Sequence, residues 1–269
     1  MNNALIENQE QPVPTSLSLE TVLEVQHWSK RLFSLRISRP KTFRFRSGEF
    51  VMLGLFKNDS PLLRAYSITS PSWEETLEFL SIKVQNGPLT SCLQHIKPGD
   101  SLLLSKKATG TLTLDSLRAG ERLYLFSTGT GVAPFASLIR DPETYSKFDK
   151  IILTHTCRSV SELEYGKNII AHINSDPLVG EIAKDNLVYF SSVTQDNYDH
   201  VGRITTFINN GKLFQLIGEP PLSPINARAM ICGSLDMIRD ISAILEQKGF
   251  SSGSNAKPGE FVIERAFVD

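Results

Sequence analysis

Arg122-Leu123-Tyr124-Leu125-Phe126-Ser127-Thr128-Gly129-Thr130-Gly131-Val132-Ala133-Pro134-Phe135 decides the architecture of the second half of this chain. An apolar run of strand length ends in two glycines one residue apart, and a helix-compatible run follows from Ala133. Glycine permits positive φ and close approach of backbone, and Pro134 is pre-set for an early helical position. A strand entering a glycine turn and then a helix presents free N–H groups of the kind that cradle a dinucleotide pyrophosphate. The stretch is not GxGxxG and by itself also suits a plain strand–helix turn. Its place directly behind an apolar strand strengthens the nucleotide reading.

Working forward, strands are expected at Lys150–Thr156, Leu187–Ser191, Arg228–Cys232 and Phe261–Arg265. Helices are expected at Ser161–His172, with Ser161 as N-cap, at Ile204–Asn209 and at Leu235–Lys248, closed by Gly249. Asn210–Asn226 reads as a long loop. Such alternation implies a parallel sheet with helices on both faces. Working backward, Thr21–Gln26, Leu32–Ile37, Glu49–Phe56, Ala65–Thr69, Glu78–Val84 and Ser101–Leu104 are short strand-like runs, with one helical turn at Leu89–His95. Asn58-Asp59-Ser60-Pro61 and Pro98-Gly99-Asp100 are among the breaks between them. The expected fold is therefore two-domain, β followed by α/β: an antiparallel β-barrel at 17–117 and a Rossmann-like parallel-sheet domain at 118–269, preceded by a flexible tail at 1–16.

A length of 269 residues suits two domains, and 41% hydrophobic with 21% charged residues is the balance of a water-soluble globular chain. No apolar run reaches membrane-spanning length, and the first twenty residues lack the basic and apolar regions of a secretory signal. Cys92, Cys157 and Cys232 form no CxxC pair, so neither a disulfide framework nor a cysteine-ligated cluster is indicated, and a cytoplasmic setting is expected. His27, His95, His155, His172 and His200 show no metal-ligand spacing; no metal is expected, and all five read as structural or surface residues. The first half is net basic and the second net acidic. Between Glu24 and Glu49 stand Lys30, Arg31, Arg36, Arg39, Lys41, Arg44 and Arg46 without an acid. That run suits either a solvated face or a dock for an acidic partner. It lacks the aromatic interleaving of nucleic-acid binders.

Five further stretches carry chemistry. In Arg64-Ala65-Tyr66-Ser67 a strand would offer an aromatic plane, a hydroxyl and a cation, although Tyr66 also suits an ordinary core. Gly87-Pro88-Leu89-Thr90-Ser91 reads as a helix start with free N–H groups and hydroxyls, or as simple capping. Thr154-His155-Thr156-Cys157-Arg158 ends the second strand of the α/β half on an arginine rather than an acid. That choice suits a 2′-phosphate better than a free ribose hydroxyl, although a lone arginine at a strand end also suits plain surface. Cys232-Gly233-Ser234 places a small thiol at a strand end, as packing residue or nicotinamide contact. Val262-Ile263-Glu264-Arg265-Ala266-Phe267-Val268 closes the chain with a carboxyl that could relay protons or pair on the surface.

With Ser81-Ile82-Lys83-Val84 and the GTGVAPF stretch, these motifs stand in the order found in bacterial ferredoxin/flavodoxin–NADP+ reductases, which the chain resembles from about residue 20 to its end. The resemblance implies an FAD-binding barrel and an NADP(H)-binding α/β domain. It assigns Arg64, Ala65, Tyr66, Ser67, Ile82, Lys83, Val84, Leu89, Thr90, Ser91, Ala266 and Phe267 to FAD. It assigns Thr128, Gly129, Thr130, Gly131, Arg158, Arg203, Cys232 and Gly233 to NADP(H). Ser67, Cys232, Glu264 and Ala266 are the residues expected at the reacting atoms. Ala266 stands where plant-type relatives carry a terminal tyrosine, so Ala266–Asp269 is expected to lie over the flavin and to move for nicotinamide. The implied activity is hydride transfer from NADPH to flavin N5 with stepwise single-electron delivery to ferredoxin or flavodoxin, by a monomer with no membrane partner. The alternatives are reduction of free flavin or another carrier, and a non-enzymatic flavin-binding module.

Overall fold

The structure is a computed structural model that describes residues 12–84 and 87–265. Six antiparallel strands form the first unit: β1 (Leu17–His27), β2 (Leu32–Ser38), β3 (Phe50–Lys57), β4 (Ser60–Ser67), β5 (Thr76–Ile82) and, after the single-turn helix α1 (Thr90–Leu93), β6 (Ser101–Ser105). Their order is β4-β3-β6-β1-β2-β5. The sheet curls until its two edges touch, where Ile68 bridges Phe79 and the Thr69 N–H donates to the Glu78 carbonyl at 2.9 Å. Alternate side chains, among them Phe33, Leu35, Ile37, Val51, Leu53 and Phe79, fill the interior.

The sequence places a break at Asn58–Pro61, but β4 already begins at Ser60. Asn58 and Asp59 turn the chain alone, with φ of +49° and +60°. These are the two positive φ values that a two-residue hairpin matched to strand twist requires. Strand β2 is buried on both faces. Phe33, Leu35 and Ile37 enter the barrel, whereas Leu32, with Leu80 of β5, joins the core of the second unit.

That unit contains β7 (Arg122–Thr128), α2 (Ala133–Leu138), α3 (Pro142–Lys147), β8 (Lys150–Cys157), α4 (Glu164–His172), α5 (Gly180–Asn186), β9 (Leu187–Val193), α6 (Ile204–Asn209), α7 (Lys212–Ile217), β10 (Ala227–Gly233), α8 (Leu235–Gln247) and β11 (Phe261–Arg265). The parallel order is β11-β10-β7-β8-β9. Alternation splits each strand between two cores. Leu123, Leu125 and Leu153 meet α2 and α4 on one face, while Tyr124, Phe126 and Ile231 meet α6, α7 and α8 on the other.

Three local features differ from the sequence reading. Ser161 is not an N-cap: it lies in a single 3₁₀ turn (Val160–Glu162), and α4 starts at Glu164. Asn210–Asn226 is not all loop. Gly211 and Gly218, both left-handed, bracket α7 rather than break it. Helix α3 starts on Asp141, whose side chain accepts from the Glu143 N–H at 3.0 Å, and neither α3 nor α5 is evident from the sequence pattern.

The basic run between Glu24 and Glu49 is partly consumed inside the fold. Arg36 pairs with Glu24, Glu74 and Glu78; Arg39 donates to the carbonyls of Phe43, Ser72 and Glu74; Arg46 pairs with Glu49 and Asp115. The half-buried guanidinium groups of Arg36 and Arg39 take these partners because leaving them desolvated and unpaired is costly, whereas Arg46 is exposed.

Candidate functional site

From β7 the chain builds the sheet outward through β8 and β9, then returns to place β10 on the other side of β7. The carboxyl ends of β7 and β10 therefore flank a topological switch point, the usual position of a crevice in open α/β sheets. The turn after β7 and the turn after β10 interlock there. A Cβ added at Gly131 would overlap the Cys232 carbonyl, 2.6 Å from its carbon, and come within 2.8 Å of Gly233 Cα. Gly233, at φ +153°, leaves no room either: its Cβ would overlap the Thr128 hydroxyl and sit 2.7 Å from Met237 Cε. The Thr128 hydroxyl in turn accepts from the Ser234 N–H at 2.9 Å. Gly131 thus serves strand-to-turn contact rather than open approach to a ligand. Gly129 is the position whose missing Cβ faces open space, at φ +54°.

A cavity of about 400 Å³ opens at this point. Thr128, Gly129 and Thr130 form one wall, and Arg158 and Arg203 another; Arg31, Leu32 and Ile82 reach in from the barrel. Both Arg158 and Arg203 are exposed. Glu162 also lines the cavity: its carboxylate accepts from the Arg158 N–H at 3.1 Å and pairs with Arg31 at 3.4 Å.

His155 supports the glycine turn from beneath. It is buried, its Nε2 lies 3.0 Å from the Gly129 carbonyl oxygen, and its Nδ1 lies 3.2 Å from the Tyr189 hydroxyl. Burial pushes its pKa down to about 4, so the ring is neutral near pH 7. A neutral ring with Nε2–H donating to Gly129 and Nδ1 accepting from Tyr189 satisfies both contacts. Cys157 Sγ lies 3.2 Å from the same Nε2, and burial raises that thiol to about 12. The sequence reading left His155 among structural residues, although it stands inside one of the quoted motifs. No sequence signal pointed to Arg31, Glu162 or Thr194, which also line the cavity.

Behind the cavity, Cys232 on β10 stands in register with Glu264 on β11. The Glu264 carboxylate accepts from the Thr111 N–H at 3.2 Å, and the Thr111 hydroxyl donates to the Ile263 carbonyl at 2.8 Å. Burial first, then the neighbouring Glu49, raises Glu264 to about 7, against the lowering effect of Thr111. Burial and Glu264 hold the Cys232 thiol well above its usual range. The thiol therefore stays protonated, which suits a packing surface and not a nucleophile.

The barrel residues meet this edge by two routes. Ile82 enters the cavity directly, paired with Leu32. Ser67, half-buried, pairs with Phe50, which bridges Thr109, next to the Gly110-Thr111 step that contacts Glu264. The Tyr66 hydroxyl hydrogen-bonds the Ser81 hydroxyl at 3.2 Å, its ring meets Phe79 edge-on, and burial raises its pKa. Arg64 and Ala65 are exposed beside it, as is Val84, while Lys83 is half-buried with its N–H donating to the Arg31 carbonyl.

Leu89 is placed in the barrel core, so only its backbone is available to a ligand. Helix α1 starts at Thr90, which puts Pro88 ahead of it rather than in its first turn, and the Thr90 hydroxyl donates to the Val84 carbonyl at 3.4 Å. Ser91 is half-buried. Ala266 and Phe267, with the expected covering segment, lie outside the described residues. Among the described residues no His/Cys/Asp/Glu group is arranged to hold a metal ion, and no helix is long and apolar enough to cross a membrane.

Comparison with known proteins gives three kinds of match. A family model for the oxidoreductase FAD-binding domain matches residues 17–112. The chain is 52% identical to a flavodoxin/ferredoxin–NADP reductase of Rhodobacter capsulatus over 93% of each chain. It is 49% identical to a ferredoxin–NADP reductase of Azotobacter vinelandii over 95% of this chain and 99% of that one. Among solved structures, a ferredoxin NADP+ reductase from Neisseria gonorrhoeae with bound FAD and NADP superimposes with a TM-score of 0.85, at 29% identity, over 94% of this chain and all of that one.

Proposed function

This chain belongs to the ferredoxin/flavodoxin–NADP reductase family, and from that premise we propose how its residues carry out FAD-dependent electron transfer between NADPH and a one-electron carrier, ferredoxin or flavodoxin. The observation that carries the reading is the convergence of the barrel edge at Arg31, Leu32 and Ile82 with the turn at Thr128–Thr130 and with Ser234, just after β10, around one cavity. The residues fit the cofactors: open space at Gly129 and two exposed arginines suit a phosphorylated dinucleotide, and a half-buried tyrosine beside a serine hydroxyl suits a flavin ring. When bound, FAD supplies the switch from two-electron hydride chemistry to single-electron transfer.

The chain supplies position, charge and one proton. Arg158 and Arg203 hold the 2′-phosphate. The backbone of the Thr128–Thr130 turn, braced by His155 at Gly129, would hold the pyrophosphate. Tyr66 and Ser67 orient the ring, with Arg64, Lys83, Thr90 and Ser91 toward its phosphates. Cys232 offers an uncharged polarisable surface to the nicotinamide. Glu264, poised near neutrality, holds or releases a proton at its carboxyl. The barrel occupies about 17–117 and the nucleotide domain about 118–269. The protein acts as a cytoplasmic monomer, and its carrier is acidic.

An anaerobic titration of the purified yellow protein tests this reading. NADPH is expected to bleach the flavin band in milliseconds to seconds, NADH far more slowly, and added ferredoxin or flavodoxin to restore it. A chain that takes up no FAD, or a flavin that NADPH does not reduce, overturns it.

A further inference from the structure

We infer that Arg31, a barrel residue, is a specificity-determining ligand of the 2′-phosphate, supplying a third guanidinium across the domain junction. The inference rests on the nucleotide reading of the cavity given above.

Arg31 follows the turn between β1 and β2, immediately ahead of Leu32. Its backbone is fixed: the carbonyl accepts from the Lys83 N–H at 2.7 Å and the Arg31 N–H donates to the Ser29 hydroxyl at 3.1 Å. Its guanidinium crosses to the other domain and lies 3.4 Å from the Glu162 carboxylate. That carboxylate also accepts from the backbone N–H of Arg158, at 3.1 Å. One carboxylate is therefore held between the Arg31 guanidinium and the amide of a residue that carries a second guanidinium on the cavity wall. A carboxylate gathered by an amide and a guanidinium uses the same donors that gather a phosphate.

Charge decides the rest. Arg158 and Arg203 share the cavity lining with Glu162, Asp236 and Asp240. A dianionic 2′-phosphate brought beside those acids is repelled unless the nearest carboxylate is neutralised. Arg31 neutralises Glu162 and remains more than half exposed, with donors left for the incoming phosphate. A nucleotide without the 2′-phosphate gives this guanidinium nothing to hold. Arg31 should therefore discriminate between the two nucleotides rather than strengthen both.

The test is calorimetric titration of FAD-loaded protein with 2′-phospho-AMP and with AMP. For Arg31→Ala the dissociation constant of 2′-phospho-AMP should rise about 5- to 20-fold, the range of one partly solvated charge-assisted contact, with AMP changed less than about twofold. Arg31→Lys should recover part of the loss, and the salt dependence of 2′-phospho-AMP binding should be shallower in Arg31→Ala. Flavin absorbance confirms that each variant is folded and loaded. Arg158→Ala and Arg203→Ala separate two failures. If they weaken 2′-phospho-AMP and Arg31→Ala stays within about twofold of wild type, the role of Arg31 is refuted while the cavity reading stands. If none of the three weakens it, the cavity reading itself fails. Equal losses for AMP and 2′-phospho-AMP in Arg31→Ala would also refute discrimination.

Discussion

Replacing Gly131 by alanine should damage hydride transfer more than it damages the fold. The added Cβ would lie 2.6 Å from the Cys232 carbonyl carbon and 2.8 Å from Gly233 Cα, where ordinary contact begins near 3.4 Å. All three clashing atoms are backbone, so no side chain can swing away. The turn after β7 and the end of β10 must part by roughly 1 Å, which as overpacking costs about 1–3 kcal/mol of stability. The same displacement moves Cys232 away from the nicotinamide position, and a misplacement of about 1 Å can cost on the order of 10²-fold in rate. Stopped-flow reduction by NADPH, followed at the flavin band, measures the rate; urea unfolding of the same sample measures stability. Gly218→Ala is the control. At φ +71° it pays a left-handed penalty of about 1–2 kcal/mol, but its Cβ meets nothing within 4 Å and it does not line the cavity. Its rate should stay within about tenfold of wild type. A Gly131→Ala enzyme reduced within threefold of the wild-type rate would refute the interlock as the device that sets the nicotinamide position.

Three other outcomes follow from buried charge. Glu264 titrates near 7 in the fold, above its usual 4.5, so its contribution to stability is full below about pH 4.5 and is lost as pH rises through 7. Glu264→Gln, which does not titrate, should gain about 1–3 kcal/mol on wild type between about pH 5 and pH 8 in urea melts; parallel curves would rule this out. His155 has the opposite sign, its pKa lowered to about 4, so its contribution is full above 6.5 and lost as pH falls toward 4. His155→Gln should flatten the acid limb, and His155→Ala should weaken NADPH binding by leaving the Gly129 carbonyl unpartnered. Arg140→Ala removes the guanidinium 2.8 Å from the buried Asp176 carboxylate and 2.5 Å from Glu74, which keeps Arg36 as its other cation. It should cost about 2–4 kcal/mol, with a double-mutant cycle against Glu74→Gln showing coupling of at least about 0.5 kcal/mol.

The parallel sheet was legible because its strands are apolar on both faces and their ends carry glycine or arginine, signals that need no tertiary context. The barrel strands were found but cut short. β1 starts at Leu17, and the alternation of Leu17, Ser18, Leu19 and Glu20 is blurred because Leu19 is half-exposed. Helix α7 was hidden because Gly211 and Gly218 serve it as left-handed caps, whereas in sequence two glycines and nearby prolines read as loop. Of the cavity, Thr128–Thr130 and Arg158 stand at or just after strand ends that the sequence shows, whereas Arg203, ahead of α6, was named from the family resemblance. Arg31 and Glu162 could not be read from either, because their meeting depends on how two independently patterned domains dock. Nor could the fate of Arg36, Arg39 and Arg46: a basic run shows its sign in sequence but not its partners, which come from residues 24, 43, 49, 72, 74, 78 and 115.

Docking matters here because the reacting groups come from both domains, so the junction must hold register to a fraction of an ångström. A polar interface of modest size would leave the domains free to move. Here the junction is a shared core: Leu32 and Leu80 of the barrel lie in the same cluster as Leu123, Phe135 and Tyr165, and Trp28 meets Tyr165 edge-on. Polar ties surround it on separate flanks. Arg140 binds Glu74, and its carbonyl accepts from the Trp73 indole N–H at 3.1 Å; the Ser137 hydroxyl accepts from the Gly48 N–H at 2.9 Å; Thr111 binds Glu264; Arg31 reaches Glu162. Ties on different flanks resist rotation about different axes, so each removes a motion that the others permit. A hinge that opened the cavity would have to break apolar contact and several of these bonds together. The small moving part at this junction is therefore expected to be a side chain such as Arg31, whose exposed guanidinium can offer its free donors to a phosphate while it keeps its pairing with Glu162 and both domains stay in place.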